Sequence, residues 1–336
     1  MAKILVTGGT GFLGSHLVRQ LIDAGETDIR VMATSIPPWL EKLREKGVEP
    51  IAGSITSPEA VAAAVADVKQ IYHLAGRVSR NPADQRAMYS IHVEGTRILC
   101  EAARAAGVKK IVMASTSGTI AVTRDGAHIP DETYPTPMEI ISRWPYYVSK
   151  VYQEKVALEC CKSKVKLIIM QPSLILGPGD DRLSSTKDVL DFMARKTRTA
   201  PSGGLSFVDV RDVAAAFIAA SRKGKHRERY LLGGPNWTFA RFFERLSRLA
   251  KVSAPRLSLP GRVAVWGAKA MDAIYRHYNA APPIEPTSVE MAEYFWYLDS
   301  SKAQRELGFV ARDPQETLYD TVTYLRQNFL GEGIFD

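Results

Sequence analysis

Through the first half of this 336-residue chain, short β-branched and aliphatic runs alternate with stretches whose apolar positions recur every three or four residues. Continuous apolar runs of that kind mark strands covered on both faces, as in a parallel sheet. They predict strands over 3–7, 29–33, 49–52, 70–74, 110–115 and 166–171. Between the first two, Leu13, Leu17, Val18, Leu21 and Ile22 lie at helical spacing and stop at Gly25, a residue suited to ending a helix. Longer helices are predicted over 86–106 and 146–161. Right-handed crossovers between such strands and helices give an α/β fold, a doubly wound parallel sheet.

Beyond residue 171 the pattern changes. Glycine and proline become frequent, strand signals become sparse, and helical periodicity predicts helices over 209–221, 238–250, 261–278, 287–295, 300–307 and 314–328. This reads as a smaller, mostly helical lobe at the carboxyl edge of the sheet, where open α/β sheets bind ligands.

Composition narrows the picture. Three cysteines, Cys100, Cys160 and Cys161, are too few for a disulfide framework, so a reducing compartment, the cytoplasm, is expected. Six scattered histidines offer no metal-ligand spacing, and no metal is expected. The net charge of +8 gathers in 182–198 and 222–229. These stretches lack the interleaved aromatics of a nucleic-acid surface and read as solvated loops. No apolar run approaches the roughly 20 residues that cross a bilayer. The chain runs straight into its first strand without a signal-peptide pattern, leaving at most a peripheral membrane contact.

Gly8, Gly11 and Gly14 fall between the first strand and the first helix, in KILVTGGTGFLGSHL. A glycine turn there lets the backbone approach a pyrophosphate, and the helix N-terminus presents N–H donors to it. Residues 1–172 thus read as a Rossmann-type dinucleotide-binding domain, with 206–230 returning to it and 173–336 forming mainly the substrate lobe. An acid roughly 20 residues past the last glycine holds the adenosine ribose of NAD; here Thr34 and Ser35 stand at that place. Two hydroxyls and no carboxylate favour the 2′-phosphate of NADP(H), with NAD(H) the alternative.

In WPYYVSK, residues 144–150, Lys150 lies four positions after Tyr146, so on a helix the two share a face. An ammonium beside a phenol favours the phenolate and lowers its pKa from about 10. A phenol so tuned exchanges a proton while hydride moves between nicotinamide and a carbonyl carbon. The fifth strand ends on Ser115, Thr116 and Ser117, hydroxyls placed to orient the substrate oxygen.

Together these residues resemble the extended short-chain dehydrogenase/reductase family. The likeness extends to YHLAG at 72–76, HVEGT at 92–96, QPSLILGPGD at 171–180, FVDVRDVA at 207–214 and DSSKAQRELGF at 299–309. It implies a Ser/Thr-Tyr-Lys catalytic set: Ser117, with Thr116 the alternative, then Tyr146 and Lys150. It further implies that Ala75 and Gly76 line the cofactor's ribose and phosphates, that Pro172 and Ser173 sit near its carboxamide, and that Phe12, Leu13, Ser54, Ile55 and Leu74 complete its surroundings. Family members commonly dimerise through the two long helices, which implies a homodimer.

The chain departs from nucleotide-sugar members. Gln171, Leu174 and Leu176 replace their polar residues, and Gly118-Thr119 replaces the dehydratase Asp-Glu pair; relative to the family at large, Gly53-Ser54 replaces Gly-Asp after the third strand and His92 stands where asparagine is common. What remains is similar to dihydroflavonol-reductase-like and 3β-hydroxysteroid-dehydrogenase-like enzymes. The implied activity is NADP(H)-dependent reduction of a ketone or aldehyde, or oxidation of the alcohol, in a bulky apolar molecule. An apolar excess around Tyr294, Phe295, Trp296 and Tyr297, and over 261–278 apart from Arg262, Lys269, Asp272 and Arg276, would suit a hydrophobic pocket or lid. The alternatives are an NAD-dependent nucleotide-sugar epimerase and a non-catalytic cofactor sensor, the latter kind usually lacking the tyrosine or lysine.

Overall fold

The structure, a computed structural model, describes residues 3–331 apart from 163, 198, 200, 256–265, 268–269, 272–274 and 276–285. Most of the helix expected over 261–278, including its four polar residues, lies outside the described residues.

Strands β1 (Lys3–Thr7), β2 (Ile29–Ala33), β3 (Val48–Ala52), β4 (Val68–His73), β5 (Lys110–Ala114) and β6 (Lys166–Pro172) form near their expected positions. Every ladder among them is parallel. Alternation within each strand feeds two cores. Ile4 and Val6 of β1 join Val31, Val112 and Ile168 under Leu17, Val18, Leu21 and Phe217. Leu5 faces the opposite way, with Ile71, Ile111 and Leu167, against Leu99, Ala103 and Ala157. Burial on both faces is why β1, β5 and β6 carry continuous apolar runs.

Among its described residues, the region expected to be poor in strands contains five: β7 (Leu174–Leu176), β8 (Gly204–Asp209), β9 (Glu228–Leu232), β10 (Asn236–Thr238) and β11 (Phe295–Trp296). β9 pairs with β6 and completes a seven-stranded sheet of order β3-β2-β1-β4-β5-β6-β9. β8 pairs with β7, β10 and β11 in a second, smaller sheet. Helix was expected to run to residue 295, but the Pro286–Met291 helix stops short of it. Gly203 and Gly204 donate to Ala292 and Tyr294 carbonyls, which draws Phe295 into a strand. A Cβ on Gly203 would lie 2.2 Å from the Tyr294 oxygen, so this approach needs glycine.

Two helices bring chemistry to the carboxyl edge of the large sheet. Pro145–Cys160 starts on a proline, suited to a first turn, and carries Tyr146 and Lys150. The other runs from Gln85 to Ala105 but contains a π turn over Ser90–Glu94. Such wide turns are common at functional sites, and this one holds His92 fully buried.

Candidate active site

A cleft of about 2060 Å³ opens at the carboxyl edge of the large sheet, between the glycine loop and the C-terminal elements. A single small-ligand site occupies roughly 300–1,000 Å³, so there is room for a dinucleotide and a second molecule.

At one end lies the glycine loop. Gly8 has φ +71°, and a Cβ there would fall 2.7 Å from the Ala75 nitrogen on the neighbouring strand end. A Cβ on Gly14 would lie 2.2 Å from the Gly8 oxygen, so this tight turn admits no side chain. Gly11, Phe12 and Leu13 line the cleft, and no side chain caps the Phe12–Asp23 helix. Its leading N–H groups therefore face the cleft as donors for an anion. These features fit a dinucleotide's pyrophosphate.

Of the other expected cofactor residues, Ser35, Leu74, Gly76, Pro172 and Ser173 line the cleft. A Cβ on Gly76 would lie 3.1 Å from His92 Nε2 and 3.8 Å from Lys150 Nζ, so the chain passes close to the reacting end. Thr34, Ser54, Ile55 and Ala75 lie beside this wall and do not line it. Ser54 bonds Thr56 at 2.7 Å, Ile55 packs beneath Gly95, and Ala75 donates its N–H to Thr7 at 3.3 Å.

Tyr146, Lys150, Thr116 and Ser117 converge on the middle of the cleft. The three hydroxyls ending β5 are not equivalent. Ser115 donates to Glu154 at 2.5 Å, and Glu154 is in turn held by Arg229 at 2.9 Å. Thr116 faces the Tyr146 phenol. Its oxygen accepts the Gly118 N–H at 3.3 Å, leaving its own proton to donate. Ser117 is buried on the same wall.

Lys150 is 5% exposed; its Nζ donates to the Ala114 carbonyl at 3.0 Å and to Gln153 at 2.8 Å. Gln153 donates to Thr96 at 3.0 Å, Thr96 bonds His73 at 2.9 Å, and His73 bonds Thr7 at 2.8 Å. This buried chain of hydrogen bonds ties the lysine to the ends of β4 and β1. Burial lowers Lys150 to about 8 and, with the lysine's charge, His73 to about 3.

The phenol departs from the sequence expectation. Burial pushes Tyr146 up to about 12, and only the facing Thr116 side chain opposes the shift. The expected lowering by Lys150 does not appear, because its ammonium is turned to Ala114 and Gln153 and desolvation of the phenolate dominates.

His92 links the helices. Its Nε2 accepts the Arg77 N–H at 3.0 Å, so Nδ1 carries the proton and donates to Ser149 at 2.8 Å. Ser149 donates to the Tyr146 carbonyl at 2.7 Å, and the His92 ring stands edge-on 5.9 Å from the Tyr146 ring. Burial, with Lys150 nearby, holds His92 well below its usual pKa, so it is neutral.

The far side is aromatic. Tyr147 packs on Gly118, where a Cβ would lie 2.2 Å from its ring, and against Trp296 at 5.0 Å. Trp144 meets Trp296 at 5.5 Å and Tyr294 at 5.3 Å. Sequence reasoning flagged 294–297 only as an apolar excess and missed Trp144 and Gln153. Gln153 sits three positions past Lys150, a spacing that could have revealed it.

Residues 4–233 match the NAD dependent epimerase/dehydratase family. The chain is 30% identical over 329 residues to a putative dihydroflavonol 4-reductase of Synechocystis sp., covering 96% of this chain and 94% of that one. It is 31% identical over 328 residues to sterol demethylase protein B of Methylococcus capsulatus, covering 96% and 98%. The crystal structure of gox2253 superposes with a TM-score of 0.83 at 29% identity, covering 98% of this chain and 99% of that one. The family match, the sheet order and the glycine loop agree: this chain belongs to the NAD-dependent epimerase/dehydratase family, the extended short-chain dehydrogenases/reductases, and is an NAD(P)-dependent oxidoreductase.

Proposed function

We propose that the chain reduces the carbonyl of a bulky apolar ketone or aldehyde, or oxidises the corresponding alcohol, with NADP(H) preferred. The carrying observation is the convergence of Tyr146, Lys150 and Thr116 in a cleft whose far wall is Tyr147, Trp296 and Trp144. Aromatic faces favour an apolar substrate body, and the names of the relatives in Synechocystis and Methylococcus support a flavonoid-like or sterol-like class. Bound NADP(H) supplies or accepts hydride. Tyr146, protonated at neutral pH, donates to the substrate oxygen; the negative charge that then develops on the phenolate draws the Lys150 ammonium to it from Ala114 and Gln153. Thr116 is the better candidate than Ser117 for orienting that oxygen, since it faces the phenol with a free proton. Three free thiols fit a cytoplasmic enzyme. Two copies are proposed to pair through the helices that carry His92 and Tyr146.

The test follows NADPH and NADH consumption against apolar ketones and aldehydes. Tyr146→Phe is expected to lower kcat by about 10²- to 10⁴-fold with NADPH affinity unchanged. Consumption that survives in the variant overturns the role of Tyr146. Failure with every carbonyl, together with NAD retained through purification and competition by a UDP-sugar, would instead support an epimerase.

A further inference from the structure

Arg19 projects from the Phe12–Asp23 helix to the glycine-loop end of the cleft, which it lines together with Ser35, Pro37 and Trp39. Its guanidinium lies over the Trp39 ring, 5.1 Å from the centroid. Among the described residues it forms no ion pair. Two other arginines that line the cleft are matched by carboxylates, Arg77 to Asp84 at 2.9 Å and Arg80 to Asp188 at 2.6 Å, whereas Arg19 is not. Its place matters too: β2 ends at Ala33, and the adenosine ribose of a bound dinucleotide lies beyond that strand end. Residues 34 and 35, which follow the strand, are hydroxyls and not acids.

We infer that Arg19, stacked on Trp39 and joined by Ser35, forms a binding site for the 2′-phosphate of NADP(H). The phosphate-binding cation would then come from the helix after the glycine loop and not from the segment that follows β2. The indole face fixes the position of the planar guanidinium and leaves its N–H edge free for paired bonds to phosphate oxygens. The Ser35 hydroxyl adds a third donor. This inference rests on the proposed preference for NADP(H) and assigns it to particular side chains.

The test is calorimetric binding of 2′,5′-ADP and 5′-AMP, which differ only in the 2′-phosphate, so no turnover is needed. Wild type is expected to bind 2′,5′-ADP more tightly by roughly 10- to 100-fold, the range for charge-assisted bonds. Arg19→Ala is expected to bring the two affinities to within a few-fold of each other while leaving that for 5′-AMP unchanged; Arg19→Lys keeps the charge and retains part of the preference. A preference that survives in Arg19→Ala places the phosphate elsewhere: this inference fails and the NADP(H) reading stands. Equal binding of both ligands by wild type overturns both. Equal weakening of both ligands in Arg19→Ala makes Arg19 a support for adenosine and overturns the phosphate assignment.

Discussion

At the scale of single residues, burial sets the protonation states on which the proposed chemistry depends. With its pKa lowered to about 8, Lys150 carries its charge below that pH and loses it above. Tyr146, raised to about 12, stays protonated across the same range. Carbonyl reduction is therefore expected to hold steady below pH 8 and fall above it, because the phenolate formed on proton transfer loses its ammonium neighbour. Lys150→Arg, which stays charged, is expected to move the fall to higher pH even where its rate is reduced; a pH profile of kcat for both proteins decides this. The hydroxyls at the end of β5 give a second test. Thr116→Val is expected to cost about 10²-fold in kcat, the loss typical of one donor to a developing oxyanion, and Ser117→Ala much less. The reverse order would assign the role to Ser117.

At the scale of elements, the glycine loop separates folding from binding within four residues. A Cβ on Gly14 would collide with the Gly8 backbone, whereas one on Gly11 meets only the Gly8 oxygen at 3.3 Å and otherwise points into the cleft. Gly14→Ala is expected to lower the melting temperature by forcing the turn open, a strain of roughly 1–3 kcal/mol. Gly11→Ala is expected to keep a near-native melting temperature and lose cofactor affinity, because its methyl occupies the anion's place. Thermal unfolding with and without NADPH reads both outcomes. The π turn over Ser90–Glu94 works at the same scale, since it carries the His92 that ties Ser149, and through it the first turn of the Tyr146 helix, to the Arg77 backbone.

At the scale of the whole molecule, the reacting groups sit where several distant segments meet: glycine loop, β5 end, Tyr146 helix and the β11 strand with Trp296. The two helices proposed to pair with a second copy expose Tyr89 and Tyr152, 45% and 41% accessible, with rings 6.3 Å apart. Light scattering after size-exclusion chromatography is expected to give twice the mass of one chain. Replacing both tyrosines by aspartate is expected to return the single-chain mass; a wild-type mass of one chain would overturn the pairing. Among the described residues no helix is long and apolar enough to cross a membrane.

What the sequence determined by itself is what local periodicity and spacing encode. Strands β1, β5 and β6 carry continuous apolar runs because both their faces are buried, and Tyr146 and Lys150 share a helix face because they lie four residues apart. The glycine positions were legible because a turn this tight excludes side chains. Only the tertiary structure decided the rest. Strands β8, β9 and β11 exist through pairing with distant partners, which propensity does not record. That Tyr146 is raised and not lowered follows from desolvation, a property of the packed cleft. The chain of hydrogen bonds from Lys150 to Thr7, the hydroxyl that faces the phenol and the approach of Arg19 to Trp39 depend on side chains that only the fold brings together.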